Sequence, residues 1–192
     1  MRSDRVSRRS ASCFHFVMIK PTHYDDDGYP IQWFRSAIPS NTLACLNGLA
    51  EDARRREILG AGVDICLHTY DETNRRVHPD RIIRMIRRQG GKALIGLVGV
   101  QSNQFPRAVD LARPFLAAGL PVCIGGFHIS GCIAMLPEMP QDMREAQALG
   151  ISFFAAIRLS GLMFSSPMKT RPAPALVAFS MKFGILWQSV ST

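Results

Sequence analysis

The sequence lacks the usual markers of membrane, nucleotide-binding and metal-binding proteins. No stretch of its 192 residues approaches the roughly 18 apolar residues of a membrane span, and the nearest one, 175–187, is interrupted by Lys182. Neither G-x-G-x-x-G nor G-x-x-x-x-G-K-[ST] occurs, so no dinucleotide or P-loop nucleotide is indicated. The five cysteines form no C-x-x-C pair, and the five histidines form no ligand cluster by spacing. We therefore predict no membrane span and no metal ion held by protein ligands.

Acidic residues are absent from the last quarter of the chain. All 15 Asp and Glu residues lie at or before Glu145. The net charge of +8 is accordingly concentrated at the two ends: residues 1–10 carry +3, residues 157–192 carry +4, and the body between them carries only +1. Because a nucleic-acid-binding face is usually a basic stripe on the folded body, we expect no specific nucleic-acid partner.

The cysteines and the N-terminus indicate a cytoplasmic protein. The cysteine count is odd, and the short apolar run after the basic start contains His15, which is atypical of a secretory signal. Cys66 and Cys123 lie inside apolar runs and are predicted to be small buried hydrophobic residues. We expect a reducing, cytoplasmic environment.

Short apolar runs alternate with amphipathic ones along the body of the chain. The predicted strands are 14–20, 63–68, 93–100, 121–124 and 151–155. The predicted helices are 42–59, 79–89, 106–118 and 140–149, with a kink or an early end expected at Pro114. Because the strands are almost wholly apolar, the pattern predicts an α/β fold: a doubly wound, five-stranded parallel sheet of the flavodoxin-like type. Such a sheet binds ligands beyond the carboxyl ends of its strands.

Several polar and glycine-rich segments are predicted to lie at that edge. Ser40, Asn41 and Thr42 open the first helix, where they suit either a simple N-cap or a site for phosphate and other polar groups. Ser102 and Asn103 follow the third strand and could bind a ligand or satisfy a turn. Gly125 and Gly126 follow the fourth strand. They either form a tight turn or let the backbone approach a flat ligand closely. His68 is predicted to end the second strand and His128 to follow the fourth, so that both project toward this edge, with a structural role as the alternative for each.

The connection between the first strand and the first helix is unusually long. Residues 21–41 include three adjacent aspartates, Asp25 to Asp27, before Gly28. An EF-hand loop needs acids at alternate positions, so this run is predicted to be a solvated turn, with a metal site as the alternative.

Two of these segments also carry a resemblance to a known family. The first is Gly-Tyr-Pro-Ile-Gln-Trp-Phe-Arg-Ser-Ala-Ile-Pro-Ser-Asn-Thr-Leu-Ala at 28–44, and the second is Ile-Gly-Gly-Phe-His-Ile-Ser at 124–130. Over residues 14–155 the chain resembles the N-terminal cobalamin-binding domain of cobalamin-dependent radical S-adenosylmethionine enzymes. The resemblance implies that the corrin lies across the carboxyl ends of the strands.

The resemblance also assigns roles to the residues at that edge. It implies that Ser40, Asn41 and Thr42 meet the corrin or its nucleotide tail, and that Ser102 and Asn103 contact the tail. Gly125 and Gly126 would line the tail channel, and His128 would be a polar contact near the ring. The domain would span residues 13–156, with a basic, disordered N-terminus at 1–12 and an irregular tail at 157–192 that leaves the family frame.

The chain departs from the family in two respects. It has no Asp-x-His, so the resemblance implies cobalt without a protein imidazole ligand. It also has no Cys-x-x-x-Cys-x-x-Cys, the motif that binds a [4Fe–4S] cluster beside S-adenosylmethionine. We therefore expect a cobalamin-binding module of a truncated radical methyltransferase-like protein that binds without catalysis. Its cluster, S-adenosylmethionine and catalytic domain would belong to a full-length parent. The alternative is a non-catalytic, flavodoxin-like interaction or regulatory domain.

Overall fold

The computed structural model describes residues 12–33 and 40–155. Residues 1–11, 34–39 and 156–192 lie outside the described residues. They include all but one residue of the predicted N-terminal arm (1–12), part of the long connection and the whole of the predicted tail (157–192).

The described residues form five strands and five α-helices in alternating order. The strands are β1 (Ser12–Lys20), β2 (Val63–Asp71), β3 (Lys92–Leu97), β4 (Val122–Gly125) and β5 (Ser152–Phe154). The helices are α1 (Asn41–Arg55), α2 (Pro79–Gln89), α3 (Phe105–Ala117), α4 (Phe127–Met135) and α5 (Gln141–Ala148), with a 3₁₀ turn at Ser102–Gln104. None of the helices within the described ranges is long and apolar enough to cross a bilayer.

The five strands form one sheet in the order β2-β1-β3-β4-β5, and every neighbouring pair is parallel. This is the flavodoxin-like strand order, and it confirms the predicted fold class. The chain moves outward from β1 to β2 and then returns past β1 to reach β3. The strand order therefore reverses between β1 and β3, and a doubly wound sheet opens its ligand crevice at that point.

Alternate residues of β1 supply the cores on the two faces of the sheet. Phe14, Phe16 and Met18 pack in the cluster on the α1 side. Val17 and Ile19 belong to the cluster that includes residues of α2, α3, α4 and α5. Successive side chains of a strand point to opposite faces, so a strand buried on both faces is apolar almost throughout.

Several element boundaries shift by one or two residues from the prediction, and four further differences stand out. Helix α1 ends at Arg55 rather than at 59, and Glu57 follows with a positive φ of 49°. Strand β3 ends at Leu97 rather than at 100, because the chain turns at Gly99, where φ is 65°. Strand β2 continues to Asp71, three residues beyond its predicted end at His68, so His68 lies inside the strand and does not end it. Helix α3 runs through Pro114 to Ala117, and the early end predicted at that proline was wrong.

Helix α4 was not predicted. Its sequence, FHISGCIAM, has no charged residue and no polar face, and it contains Gly131, so periodicity gives little sign of a helix. The helix begins directly after Gly126 and places His128 in its first turn.

Candidate ligand site at the carboxyl edge of the sheet

The start of helix α1 lies at the crevice between β1 and β3. The Ser40 hydroxyl oxygen accepts a hydrogen bond from the Leu43 amide at 3.3 Å, which confirms the predicted N-cap. Asn41 and Thr42 are exposed in the first turn. The first turn of a helix has backbone N–H groups without helical partners, so this end can also receive a phosphate or an amide oxygen.

Thr42 packs against the loop that follows β3. A Cβ added to Gly99 would lie 3.2–3.4 Å from three side-chain atoms of Thr42. Gly99 also has a positive φ of 65°, so both its backbone conformation and its close neighbour favour glycine. The contact joins the loops after β1 and β3 on the two sides of the crevice.

Ser102 and His128 meet at the same edge. The Ser102 Oγ lies 3.1 Å from His128 Nδ1, within hydrogen-bonding distance. The backbone amide of His128 donates to the Val100 carbonyl at 3.1 Å, which fixes the start of α4 beside the loop after β3. The exposed Asn103 follows Ser102 in the 3₁₀ turn.

The second ring nitrogen of His128 is buried and has no hydrogen-bond partner within the described part of the chain. The nearest charged oxygen is Asp142 Oδ2, at 3.9 Å, beyond hydrogen-bonding distance. The imidazole also packs against the Phe105 ring, with centroids 4.7 Å apart. Buried polar atoms normally have a partner, and within the described residues this nitrogen has none.

Gly125 and Gly126 lie at this edge, but protein atoms occupy the space beside them. A Cβ at Gly126 would overlap the Val100 backbone, and one at Gly125 would lie 3.2 Å from the Phe154 carbonyl oxygen. The amide of Val100 also donates to the Gly125 carbonyl at 3.1 Å. The close approach that requires glycine at position 126 is therefore one of backbone to backbone. A role for these glycines in lining a ligand channel stays a prediction.

Five of the eight predicted binding residues contact the loop at Gly99 and Val100 or one another: Thr42, Ser102, Gly125, Gly126 and His128. The other three, Ser40, Asn41 and Asn103, lie on the adjoining turns. His68, which was also expected to face this edge, does not, because β2 continues three residues beyond it. Its imidazole instead lies 3.1 Å from His15 in the neighbouring strand.

A buried ion pair at this edge was missed in the sequence. Glu72, which is fully buried, directly follows β2, and both its carboxylate oxygens accept from Arg107 of α3: Oε1 from Nη2 at 2.6 Å and Oε2 from Nε at 3.1 Å. The Thr22 amide, after β1, donates to the same carboxylate at 3.3 Å. Burial lowers the pKa of Arg107, but the hydrogen bonds to Glu72 and Tyr24 and the charge of Glu72 outweigh it and raise the pKa above its ordinary value.

Tyr24 extends this network to the protein surface. Its hydroxyl accepts from Arg107 at 3.3 Å and donates to Asp110 at 2.6 Å. Burial and the hydrogen bond to Asp110 raise the pKa of Tyr24. The network holds the first part of the long connection against β2 and α3, so we assign it a structural role.

The three adjacent aspartates form the predicted turn. Asp25 Oδ1 accepts from the amides of Asp27 and Tyr29 at 3.1 and 2.7 Å, and Gly28 has a positive φ of 84°. A single carboxylate thus satisfies two turn amides, which is typical of aspartate in a turn.

A small cleft lies beyond the candidate site, between α4 and α5. Its volume is about 160 Å³, and its lining includes Cys132, Leu136 and Met143. A drug-sized ligand usually occupies roughly 300–1,000 Å³, so this cleft is too small to enclose a macrocycle.

The fold and the site define a flavodoxin-like α/β domain with polar side chains at the carboxyl edge of its sheet. No protein-family model matches the chain, and no curated protein sequence matches it. Among solved structures, the chain is similar to a cobalamin-binding protein from Desulfitobacterium hafniense DCB-2, with 13% sequence identity and a TM-score of 0.36. The match covers 76% of this chain and 53% of that protein, so this chain spans about half the length of the cobalamin-binding protein.

Proposed function

We propose that the carboxyl edge of this sheet binds cobalamin. The observation that carries the proposal is the convergence of Thr42, Ser102 and His128 on the loop around Gly99 and Val100, at the point where the strand order reverses. These residues come from three separate segments of the sequence, and the resemblance to cobalamin-binding domains assigns all three to the corrin or its tail.

The polar groups at this edge suit the periphery of cobalamin. The corrin carries amide side chains, and the tail carries a phosphate, so the ligand needs hydrogen-bond donors and acceptors around an apolar plane. The exposed Asn41 and Asn103 side chains and the first-turn amides of α1 supply both.

The fit is best on the α1 side of the edge. There the side chains of Asn41 and Thr42 are exposed, whereas the corner at Gly126 is closed by the Val100 backbone. We therefore propose that Ser40, Asn41, Thr42, Ser102, Asn103 and His128 hold the cofactor, while Gly125 and Gly126 shape the loop that presents them. Bound cobalamin would supply a methyl-carrying cobalt; these residues would orient the ring.

We further propose that the chain is the cobalamin-binding module of a truncated radical S-adenosylmethionine methyltransferase-like protein. Because the sequence contains no Cys-x-x-x-Cys-x-x-Cys, the chain as given would bind cobalamin without catalysing methyl transfer. Sequencing the gene downstream tests this context. A reading frame with the cluster motif would support a truncated parent, and its absence from all frames would contradict one.

Retention of hydroxocobalamin tests the binding itself. The protein is mixed with hydroxocobalamin and desalted, and its visible absorption is recorded. We expect coloured protein, with Ser102→Ala and Thr42→Ala weakening binding about three- to tenfold, because each removes one hydrogen bond worth roughly 0.5–1.5 kcal/mol. Ser12→Ala, the same change at the opposite edge of the sheet, is the control and should bind normally. Colourless wild-type protein would overturn the proposal, and so would equal weakening by Ser12→Ala and Ser102→Ala.

The second candidate is an interaction domain, and exposed apolar side chains favour it. Phe127 and Met135, at the two ends of α4, are 78% and 81% exposed, and Phe154 of the edge strand β5 is 42% exposed. Large exposed apolar residues grouped on adjoining elements are typical of association surfaces. Sedimentation at rising concentration tests this candidate: wild type should self-associate, and Phe127→Ser with Met135→Ser should abolish association. Tyr29→Ser, at a residue 71% exposed elsewhere, is the control. A wild type that stays monomeric throughout would contradict this candidate.

A further inference from the structure

Two strands carry the same short motif side by side. Strand β1 contains Cys13-Phe14-His15, and β2 contains Cys66-Leu67-His68. His15 pairs with Cys66 in the parallel register of these strands, and Val17 pairs with His68. Since alternate residues of a strand share a face, the two cysteines and the two histidines all lie on one face of the sheet.

The donor atoms of these four residues lie close together. His15 Nδ1 is 3.1 Å from His68 Nε2 and 3.7 Å from Cys13 Sγ. The donor atoms of Cys13, His15 and Cys66 all lie within 4.8 Å of one another. On a tetrahedral zinc ion, two nitrogen ligands are separated by about 3.3 Å, and a sulfur and a nitrogen by about 3.6 Å. The His15–His68 and His15–Cys13 separations match these distances. The two sulfurs are bonded to each other and His68 lies outside the three-residue group, so reduction must let the sulfurs separate and His68 must shift toward them before all four residues bind one ion.

A backbone carbonyl fixes the orientation of the His15 ring. Its Nε2 lies 3.0 Å from the Gly90 carbonyl oxygen. A carbonyl only accepts, so Nε2 carries the proton, and in the neutral ring Nδ1 has its lone pair directed at the other three residues. Metal-binding histidines typically donate their second N–H to such a group. The turn at Gly90 and Gly91 approaches β1 closely because Gly91 has no side chain. A Cβ at Gly91 would overlap the Cys13 carbonyl oxygen.

We propose that Cys13, His15, Cys66 and His68 form a binding site for a zinc-class divalent cation when the two cysteines are reduced. In the structure the cysteines are joined as a disulfide, with Cα atoms 6.2 Å apart. A dithiol reductant supplies two electrons and two protons and is itself oxidised to a disulfide, leaving two thiols. Each thiol then loses its proton as its sulfur binds the ion. Two thiolates and two imidazoles are a ligand set that selects zinc among the common divalent ions.

The site is separate from the candidate ligand edge. Cys13 is the second residue of β1, whereas the candidate edge begins beyond Lys20, where the same strand ends. His15 is fully buried, while Cys13, Cys66 and His68 are partly exposed, which leaves the ion a path to the cluster from solvent. The proposal therefore stands whether or not cobalamin binds.

Cobalt(II) is a suitable probe, because tetrahedral sulfur-ligated cobalt absorbs strongly in the visible. The full chain is reduced with a dithiol, freed of it without air, and titrated with cobalt(II) and then with zinc(II). We expect one equivalent of cobalt per chain, with tetrahedral absorption that zinc abolishes. Oxidised protein, with the disulfide intact, should take up none. Reduced wild type that shows no tetrahedral absorption would overturn the proposal.

Variants identify the ligands. Cys66→Ser and His68→Gln should each weaken cobalt binding by about tenfold or more, whereas Cys45→Ser, at an exposed free cysteine, should leave binding unchanged. Equal binding by the double variant Cys13→Ser, Cys66→Ser would place the ion elsewhere and refute the assignment. Thermal unfolding is a second readout should Cys66→Ser fold poorly. Zinc should raise the melting temperature of the reduced wild type, since it binds the folded state, and no rise would also count against the site.

Discussion

The buried pair of Glu72 and Arg107 allows a quantitative test of how the long connection is held. The Glu72 side chain is 0% exposed and the Arg107 side chain is 14% exposed. Two nitrogen–oxygen contacts join the guanidinium to the carboxylate side by side. Replacing Glu72 by Gln keeps the shape of the side chain but leaves the charge of Arg107 without a counter-charge. Loss of one partner of a buried pair costs about 3–5 kcal/mol. Because Arg107 keeps some exposure and Gln still offers one acceptor, we expect about 3 kcal/mol.

The reverse change should be at least as harmful. Arg107→Met leaves the Glu72 carboxylate buried, with the Thr22 amide as a remaining donor at 3.3 Å. The double variant Glu72→Gln, Arg107→Met has no unpaired charge, so it should lose less than the sum of the two single losses. We expect a coupling energy of about 2–3 kcal/mol, at the upper end for contacting residues.

Urea unfolding followed by far-ultraviolet circular dichroism measures these free energies. Glu51→Gln is the matched control, because it makes the same chemical change in the exposed Glu51–Arg54 pair, whose side chains are 35% and 44% exposed. An exposed pair is worth roughly 0–1 kcal/mol, so this variant should unfold close to wild type. A Glu72→Gln loss no larger than that of the control, or a coupling energy near zero, would refute the reasoning.

Three further outcomes follow from the packing. Burial raises the pKa of Cys123 to about 12, so at pH 8 it should alkylate much more slowly than the exposed Cys45, and its rate should climb as pH rises. Peptide mass spectrometry with iodoacetamide measures both rates, and equal rates at pH 8 would contradict this. Gly91→Ala should lower the urea midpoint more than Gly90→Ala. Both glycines have a positive φ, but only a Cβ at Gly91 would overlap protein backbone, that of Cys13. Equal decreases in the two midpoints would contradict this. Phe115→Ala, at a fully buried residue, should cost about 3–5 kcal/mol in the same assay, and similar stability to wild type would show that α3 does not pack as described.

The sequence was informative where local signals agreed with the fold. Helix α2 was predicted at its observed bounds, 79–89, because proline opens it, isoleucines recur at helical spacing and two glycines close it. The sheet type followed from strands that are apolar on both faces. Helix α4 was missed because its residues show no such periodicity: Ile129 is buried, but the apolar Phe127 and Met135 are exposed at its ends.

The candidate edge was predicted in part for the same reason. Ser40, Ser102 and His128 were placed at one edge because each follows a strand or opens a helix, and topology alone then brings them together. Glu72 and Arg107 could not be paired in advance. They are 35 positions apart, and only the packing of α3 beside the end of β2 makes them neighbours.

The cluster of cysteines and histidines marks the limit of spacing rules. Metal motifs are usually recognised as ligand pairs within one short segment, and by that criterion the histidines formed no cluster. Each Cys-x-His here supplies only two donors on one face of a strand. The site exists because β1 and β2 are parallel neighbours in a register that sets His15 against Cys66. Had β2 paired with one residue of slip, its cysteine and histidine would face the α1 layer, and no site would form. Two Cys-x-His motifs on strands that are predicted to be parallel neighbours therefore indicate a candidate metal-binding cluster. The strand order has to be predicted first.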